Sequence, residues 1–335
     1  MGVSMKEFKD KVLFVTGGGS GAGFGQAKVF SEAGCKVVIA DIRQDHLDMA
    51  LAYFRERGAP AHGIKLDITD RAAYAAAADE VEKVFGTPPQ LLFNTAGVNA
   101  FGPPEASTYD DYDWIMGVCL DGVINGLVTF VPRMIKAGLG GHIVSTASMG
   151  GFWGTAVTAP YSAAKAAVIN LMESYALTLP NYGIGVSVLC PAAINSNIHN
   201  AADTRPANMA STGYLTDDKA VDTLRTIYEA GMDPVELAQW VKKGIEAEQL
   251  YIIPYPEERR SLEQHFQKII DSVLPLEADP EGVRKRAEVL QKLGEKAAAE
   301  AQEKGEPFNI GFGKANPDLE WVKPSRTTPP PEPEE

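Results

Sequence analysis

The chain has 335 residues, 45% of them hydrophobic, a formal net charge of −13 and three widely spaced cysteines, Cys35, Cys119 and Cys190. That length can bury one large core, or a core with an appendage. The acidic balance argues against nucleic acid or an anionic membrane as main partner, and the cysteines argue against a disulfide framework or a zinc site.

The stretch from Met1 to Asp10 has no apolar signal region, and Lys6 stands where a myristoylation signal needs Ser or Thr. No run reads as long enough to span a membrane, so a soluble cytoplasmic protein is expected. The histidines are scattered, and no metal site is expected.

Lys11 to Thr16 is a short apolar run ending in a Gly-rich turn, which predicts a buried strand. A helix follows over 22–33, then a strand from Lys36 to Asp41 that ends in an acid. The pattern continues with a helix over 44–57 and a strand at about 61–67 ending in Asp67. Asp70 is placed to cap an Ala-rich helix that runs to Phe85. Gln90 to Asn94 predicts the fourth strand, and 108–137 a long helix with Gly117 or Pro132 as a candidate break. Gly141 to Ala147, a helix over 161–181, and Ile184 to Cys190 complete six alternations, closed by Pro191.

Such alternation predicts one α/β domain: a Rossmann-type, doubly wound parallel sheet of about seven strands with helices on both faces. Ligands then gather at the carboxyl ends of the strands. Residues 195–232 break the rhythm and read as a substrate loop placed over the site. A helix over 234–248, a seventh strand over 250–254 and a helix over 257–273 follow, then a charged helix over 279–303. The catalytic domain is drawn at 8–275, with a C-terminal helix and Pro-rich tail at 276–335. In that tail Trp321 and Val322 are too apolar for pure linker, so 305–325 is expected to pack on the body or on a neighbouring subunit.

Two constellations carry chemistry. The first is the turn Thr16-Gly17-Gly18-Gly19-Ser20-Gly21-Ala22-Gly23 between a strand and a helix. Its glycines let backbone approach a pyrophosphate, and the helix start supplies amide donors. Asp41, 24 residues after Gly17, suits the ribose 2′-hydroxyl of NAD and would repel the 2′-phosphate of NADP, although Arg43 lies nearby. Asp67 and Ile68 at the third strand end are candidates for the adenine. Asn94, Ala96 and Gly97 at the fourth strand end suit close approach of the nucleotide. NAD is favoured over NADP.

The second constellation is Ser148, Tyr161 and Lys165. Tyr161 and Lys165 are four apart and share a helix face, and Ser148 lies thirteen residues upstream, just past a strand. A phenol of pKa about 10 is a poor base, but a lysine cation one turn away favours phenolate. A serine hydroxyl can polarise the same oxygen. The chemistry offered is acid/base work on an alcohol or carbonyl. Phe101, Phe152, Trp153 and Tyr214, on loops at the same sheet edge, are candidates to stack on a substrate ring.

With these motifs in hand, residues 8 to about 255 resemble the short-chain dehydrogenase/reductase family. The loop fits its Thr-Gly-x-x-x-Gly-x-Gly, Asn94-Thr95-Ala96-Gly97 is similar to its Asn-Asn-Ala-Gly, and Ser148, Tyr161 and Lys165 match its catalytic residues. The resemblance implies NAD(P)-dependent interconversion of a hydroxyl and a carbonyl. Tyr161 is then the acid/base, Lys165 lowers its pKa and holds the nicotinamide ribose, and Ser148 orients the substrate oxygen. Pro191 to Ser196 resembles the segment that faces the carboxamide, through Ile194 backbone and Ser196.

Two departures stand out. Ala192 replaces a glycine, and Cys119 stands where the family has a fourth catalytic residue, an asparagine. Within the family, the 21–30 stretch, Asn94 to Asn99 and Tyr251 to Pro256 look like the Cα-dehydrogenases of bacterial lignin-dimer breakdown. Those oxidise a benzylic alcohol of a β-aryl ether with NAD. Dehydrogenases of other bulky alcohols or ketones, steroid-like or acyl, and a nucleotide-binding regulator without catalysis are the alternatives. The resemblance also implies a homodimer or homotetramer.

Overall fold

A computed structural model describes residues 5–304 apart from Thr216, and the expected packing of 305–325 lies outside the described residues. The expected βα rhythm is present. It runs β1 (Val12–Thr16), α1 (Gly21–Glu32), β2 (Lys36–Asp41), α2 (Gln44–Glu56), β3 (Ala61–Lys65), α3 (Arg71–Phe85) and β4 (Leu91–Asn94). There follow α4 (Tyr109–Met116), α5 (Gly122–Ala137), β5 (Gly141–Thr146), α6 (Ala159–Ala176) and β6 (Ile184–Leu189). After the insertion come α7 (Asp218–Glu229), α8 (Pro234–Glu246), β7 (Tyr251–Ile252), α9 (Arg259–Asp271) and α10 (Pro280–Lys304).

The strands form one parallel sheet in the order β3-β2-β1-β4-β5-β6-β7. β1, β4, β5 and β6 are buried along their whole length, because both faces of a parallel sheet are covered. The order reverses beside β1, and the crevice between the carboxyl ends of β1 and β4 is where such folds bind ligands. The core joins Leu13, Val15, Phe30, Val37, Ile39, Phe93 and Leu237. Asp70 caps α3 as expected, accepting from the amides of Ala72 and Ala73.

Several expectations need correction. The helix expected over 108–137 is two helices joined by a π-type turn at Gly117–Asp121, so Gly117 is the break, while Pro132 sits inside α5. A π turn inserts an extra residue into the helical ladder, and here it carries Cys119. The segment Tyr109–Ala137 does contain an 18-residue window of mean hydropathy 1.7, long and apolar enough to cross a membrane, which the sequence reading missed. In the fold, 56% of that window is buried, as befits a core helix. The helix expected to reach residue 181 ends at Ala176; a separate helical turn, Leu179–Tyr182, takes Pro180 near its start.

The 195–232 insertion is more ordered than expected: helical turns at Asn197–Thr204 and Ala207–Met209, then α7. Its two ends are tied at the base, where Asn195 N donates to Met232 O (3.0 Å) and Met232 N to Ala193 O (3.0 Å). The chain separates into two compact units after Pro256. The second begins at Glu257, and its described part is α9 and α10, whose exposed faces carry ion pairs four residues apart, such as Arg259 with Glu263.

Candidate active site

One cavity of about 790 Å³ opens along the carboxyl ends of the strands. At one end lies the β1–α1 turn. Gly17 has φ +64°, and a Cβ there would come within 2.9 Å of Ala96 Cα, so only glycine lets the β1 and β4 ends approach this closely. Thr16 Oγ completes the splice by accepting from the amides of Thr95 (2.9 Å) and Ala96 (3.2 Å). Ser20 precedes α1 without a side-chain cap, so the first-turn amides are left for an anion. Gly17, Ser20, Gly21, Ala22 and Gly23 all line the cavity.

Asp41 lines it too and is only 7% exposed. Its Oδ2 accepts from Gly19 N and its Oδ1 from Arg43 N, both at 3.0 Å. The guanidinium of Arg43 is bound to Asp45 at 2.6 Å, not held free. Ile68, Ala96, Gly97, Pro191, Ile194 and Ser196 are in the wall as expected. Asp67 is in the wall but spends Oδ1 on Thr69, accepting from its amide (2.9 Å) and its hydroxyl (2.7 Å). Asn94, expected beside the nucleotide, is not among the residues that line the cavity. Its amide donates to Ser145 Oγ at 3.1 Å and accepts from the buried Tyr74 hydroxyl, which ties β4 to β5 and α3.

Ser148, Tyr161 and Lys165 all line this cavity. β5 delivers Ser148, and α6, opening with Pro160, delivers the other two on one face. Lys165 Nζ donates to Thr146 O at 2.8 Å and lies 5.5 Å from the Tyr161 ring centre. Burial pushes the Tyr161 phenol above its ordinary value; a hydrogen bond from Ser148 opposes this by favouring the ionised oxygen. Burial also pushes Lys165 below its ordinary value. In the protein alone, burial is therefore the largest influence on the Tyr161 phenol.

Cys119 is fully buried and lies outside the cavity wall. Its thiol donates to Val98 O (3.1 Å) and accepts from Val98 N (3.4 Å). Both hydrogen-bonding capacities of the sulfur are thereby used to clamp the loop after β4. Gly97, one residue before, is flanked by Lys165 and this sulfur: a Cβ there would lie 3.6 Å from Nζ and 3.7 Å from Sγ.

Of the four aromatic candidates, only Phe101 lines the cavity. Its ring faces Tyr228 at 6.3 Å. Phe152 stands against Trp153 and Tyr251, at 6.5 and 6.3 Å. Tyr214 is a strut behind the wall, with its hydroxyl 2.6 Å from Ser107 Oγ and its ring against Gly102. Sequence reasoning missed two aromatic residues that do line the cavity, Trp114 and Tyr228. Trp114 looked like an ordinary helix residue. Tyr228 had a usable signal, the spacing of Leu224 and Tyr228 one turn apart on a helix.

The substrate end is held by Arg205, in the insertion. It bonds Asp111 Oδ1 at 2.7 Å, Ser211 O at 2.8 Å and Met209 O at 2.5 Å, and lies 5.2 Å from the Trp114 ring. Asp111 also closes a capping box with Thr108 at the start of α4. Burial alone would raise its carboxyl, but bonds from Thr108, Arg205 and Thr212 hold it below the usual range.

Residues 11–207 match the short chain dehydrogenase family. Over 304 residues, 90% of this chain and 100% of the other, the protein is 58% identical to a C alpha-dehydrogenase of Sphingobium sp. (strain NBRC 103272 / SYK-6). The crystal structure of the apo form of LigD from Sphingobium sp. strain SYK-6 matches it with a TM-score of 0.68 and 56% identity, covering 80% of this chain and 100% of that one. A short chain dehydrogenase/reductase from Burkholderia phymatum in complex with NAD matches with a TM-score of 0.76 and 31% identity, over 81% of this chain and 98% of that one. With a Rossmann-type sheet, a glycine-lined strand-to-helix turn and Ser148, Tyr161 and Lys165 in one cavity, this chain belongs to the short-chain dehydrogenase family of oxidoreductases.

Proposed function

We propose that the protein is an NAD-dependent dehydrogenase that oxidises the benzylic Cα hydroxyl of an aromatic, β-aryl-ether-type alcohol to a ketone. The observation that carries this reading is the meeting of Ser148, Tyr161 and Lys165 in the same cavity as the glycine turn and Asp41. The 58% identity to a C alpha-dehydrogenase, over that protein's whole length, supports the substrate class. So does the wall of Phe101, Trp114 and Tyr228.

The residues present fit a dinucleotide. The glycine turn lines the cavity, and the uncapped start of α1 offers amides to a pyrophosphate. Asp41 is pre-aimed by Gly19 N and Arg43 N, with acceptor capacity left for a ribose 2′-hydroxyl. Arg43 is paired to Asp45, and Asp41 adds negative charge, so NAD is favoured over NADP. When bound, the nicotinamide supplies a hydride acceptor.

Tyr161 takes the proton from the substrate hydroxyl. The step uses the phenolate, the form that burial disfavours, and Lys165, anchored on Thr146 O, supplies the neighbouring positive charge that favours it. Ser148 holds the substrate oxygen within reach of Tyr161. Cys119, clamped on Val98, carries no proton to Lys165; it sets the position of the loop that faces Lys165. The enzyme is read as cytoplasmic and as a homodimer or homotetramer.

The test is NADH formation with both enantiomers of a benzylic secondary alcohol, beside a sterol and an aliphatic alcohol, each with NAD and with NADP. The expected result is turnover of a benzylic enantiomer with NAD. Faster turnover of the sterol or the aliphatic alcohol would overturn the substrate assignment.

A further inference from the structure

Asp41 has a titratable neighbour in the wall of the cavity. His46, from the first turn of α2, lines that wall beside it. Its Nδ1 lies 4.0 Å from Asp41 Oδ1, beyond hydrogen-bond length but close enough for charge to act. The glycine turn presses on both residues: a Cβ at Gly19 would come within 2.6 Å of His46 Cβ and 2.8 Å of Asp41 Oδ2. The buried side-chain atoms without a partner among the described residues lie on Gln26, Asn99, His142 and His199. The ring nitrogens of His46 have no hydrogen-bond partner among those residues either, yet they stay open to solvent, and 17% of the side chain is exposed. The charged groups around the ring are Asp41 on β2, and Arg43 and Asp45 where α2 begins; the β1–α1 turn brings none. Arg43 is taken up by Asp45, and Asp203 of the insertion adds its own negative charge to that arginine's surroundings. His46 is the basic group left to answer Asp41.

Histidine is the side chain whose charge ordinarily changes between pH 5 and 8. A neutral ring leaves Asp41 its full charge, and a protonated ring offsets it. A ribose 2′-hydroxyl makes no demand on that choice, whereas a 2′-phosphate adds negative charge and favours the cation. We propose that His46 is a specificity-determining residue for the dinucleotide: when a 2′-phosphate comes against Asp41, the ring takes a proton from solvent, so discrimination against the phosphorylated dinucleotide weakens as pH falls. The inference rests on the reading of Asp41 and the glycine turn as a dinucleotide site given above.

The test measures binding of ADP-ribose and of its 2′-phosphate by calorimetry, without turnover, at about pH 6 and about pH 8, either side of the ordinary histidine value. The ratio of the two affinities is compared among the unaltered protein, His46→Leu and His46→Lys. At the lower pH the unaltered protein should bind the 2′-phosphate, relative to ADP-ribose, about tenfold better than His46→Leu does, as for one charge-assisted hydrogen bond. At the higher pH that gap should close, while His46→Lys, with a fixed cation, should keep its advantage over His46→Leu. The phosphate itself titrates in every variant, so the comparison between variants isolates the ring. Should His46→Leu fail to fold, His46→Gln carries the comparison. The same ratio in the unaltered protein and His46→Leu at both pH values, or an equal loss of both ligands in His46→Leu, would overturn the proposal. Failure of the unaltered protein to bind ADP-ribose would instead overturn the dinucleotide reading on which it rests.

Discussion

The two ends of the cavity are held by different means. At the glycine-turn end, strand termini are locked by backbone donors and short buried side chains: Thr16 to Thr95 and Ala96, and Asp41 to Gly19. Each partner there sits on or beside a strand of one parallel sheet, so the geometry follows from the sheet register. At the substrate end, the wall comes from α4, the loop after β4 and the insertion, three segments with no shared ladder. A charged residue, Arg205, ties the insertion to Asp111 on α4. The difference teaches that one end of the cavity stands on the sheet, while the other is joined by an ion pair that latches segments far apart in the chain.

The largest effect tests where the two ends meet. Tyr161→Phe removes the proton acceptor and should lower kcat by about 10³-fold, within the range of acid/base catalysis. Fluorescence titration should show NAD binding little changed, and wild-type-like turnover would remove the assigned role. Next comes the glycine-turn end: Asp41→Ala should raise the KM for NAD by about 10- to 100-fold, as expected for loss of a charge-assisted hydrogen bond. The same variant should narrow the preference for NAD over NADP. If KM for the alcohol rises instead, the assignment of the two ends is wrong.

Arg205→Met addresses the latch. It leaves Asp111 buried without its cation, so the insertion should loosen and the alcohol KM should rise about tenfold, with NAD affinity little changed. Limited proteolysis should cut the 195–215 segment faster in this variant. An unchanged alcohol KM would mean that the substrate wall does not depend on the pair. The smallest effect is expected at Cys119. Cys119→Ser keeps one donor and one acceptor for Val98, so kcat should stay within about threefold of the unaltered enzyme. A large loss would show that sulfur does more than clamp the loop.

The sheet, the glycine turn with Asp41, and the grouping of Ser148, Tyr161 and Lys165 were legible in the chain alone. Each of these is local: alternating apolar runs, a strand-turn-helix with glycines, and two side chains one helical turn apart. Even the odd cysteine was visible as an odd cysteine. Tertiary structure decided what the local pattern could not hold. It uses Asn94 as a tie between strands and sets Phe152 against Trp153 and Tyr251. It also broke the long helix at a π turn, so that Cys119 reaches Val98. The residues that shape the substrate end, Trp114, Arg205 and Tyr228, come from α4, the insertion and α7. Their meeting is set by packing between segments about a hundred residues apart, such as Asp111 and Arg205 at a separation of 94, and no short-range period in the chain encodes it.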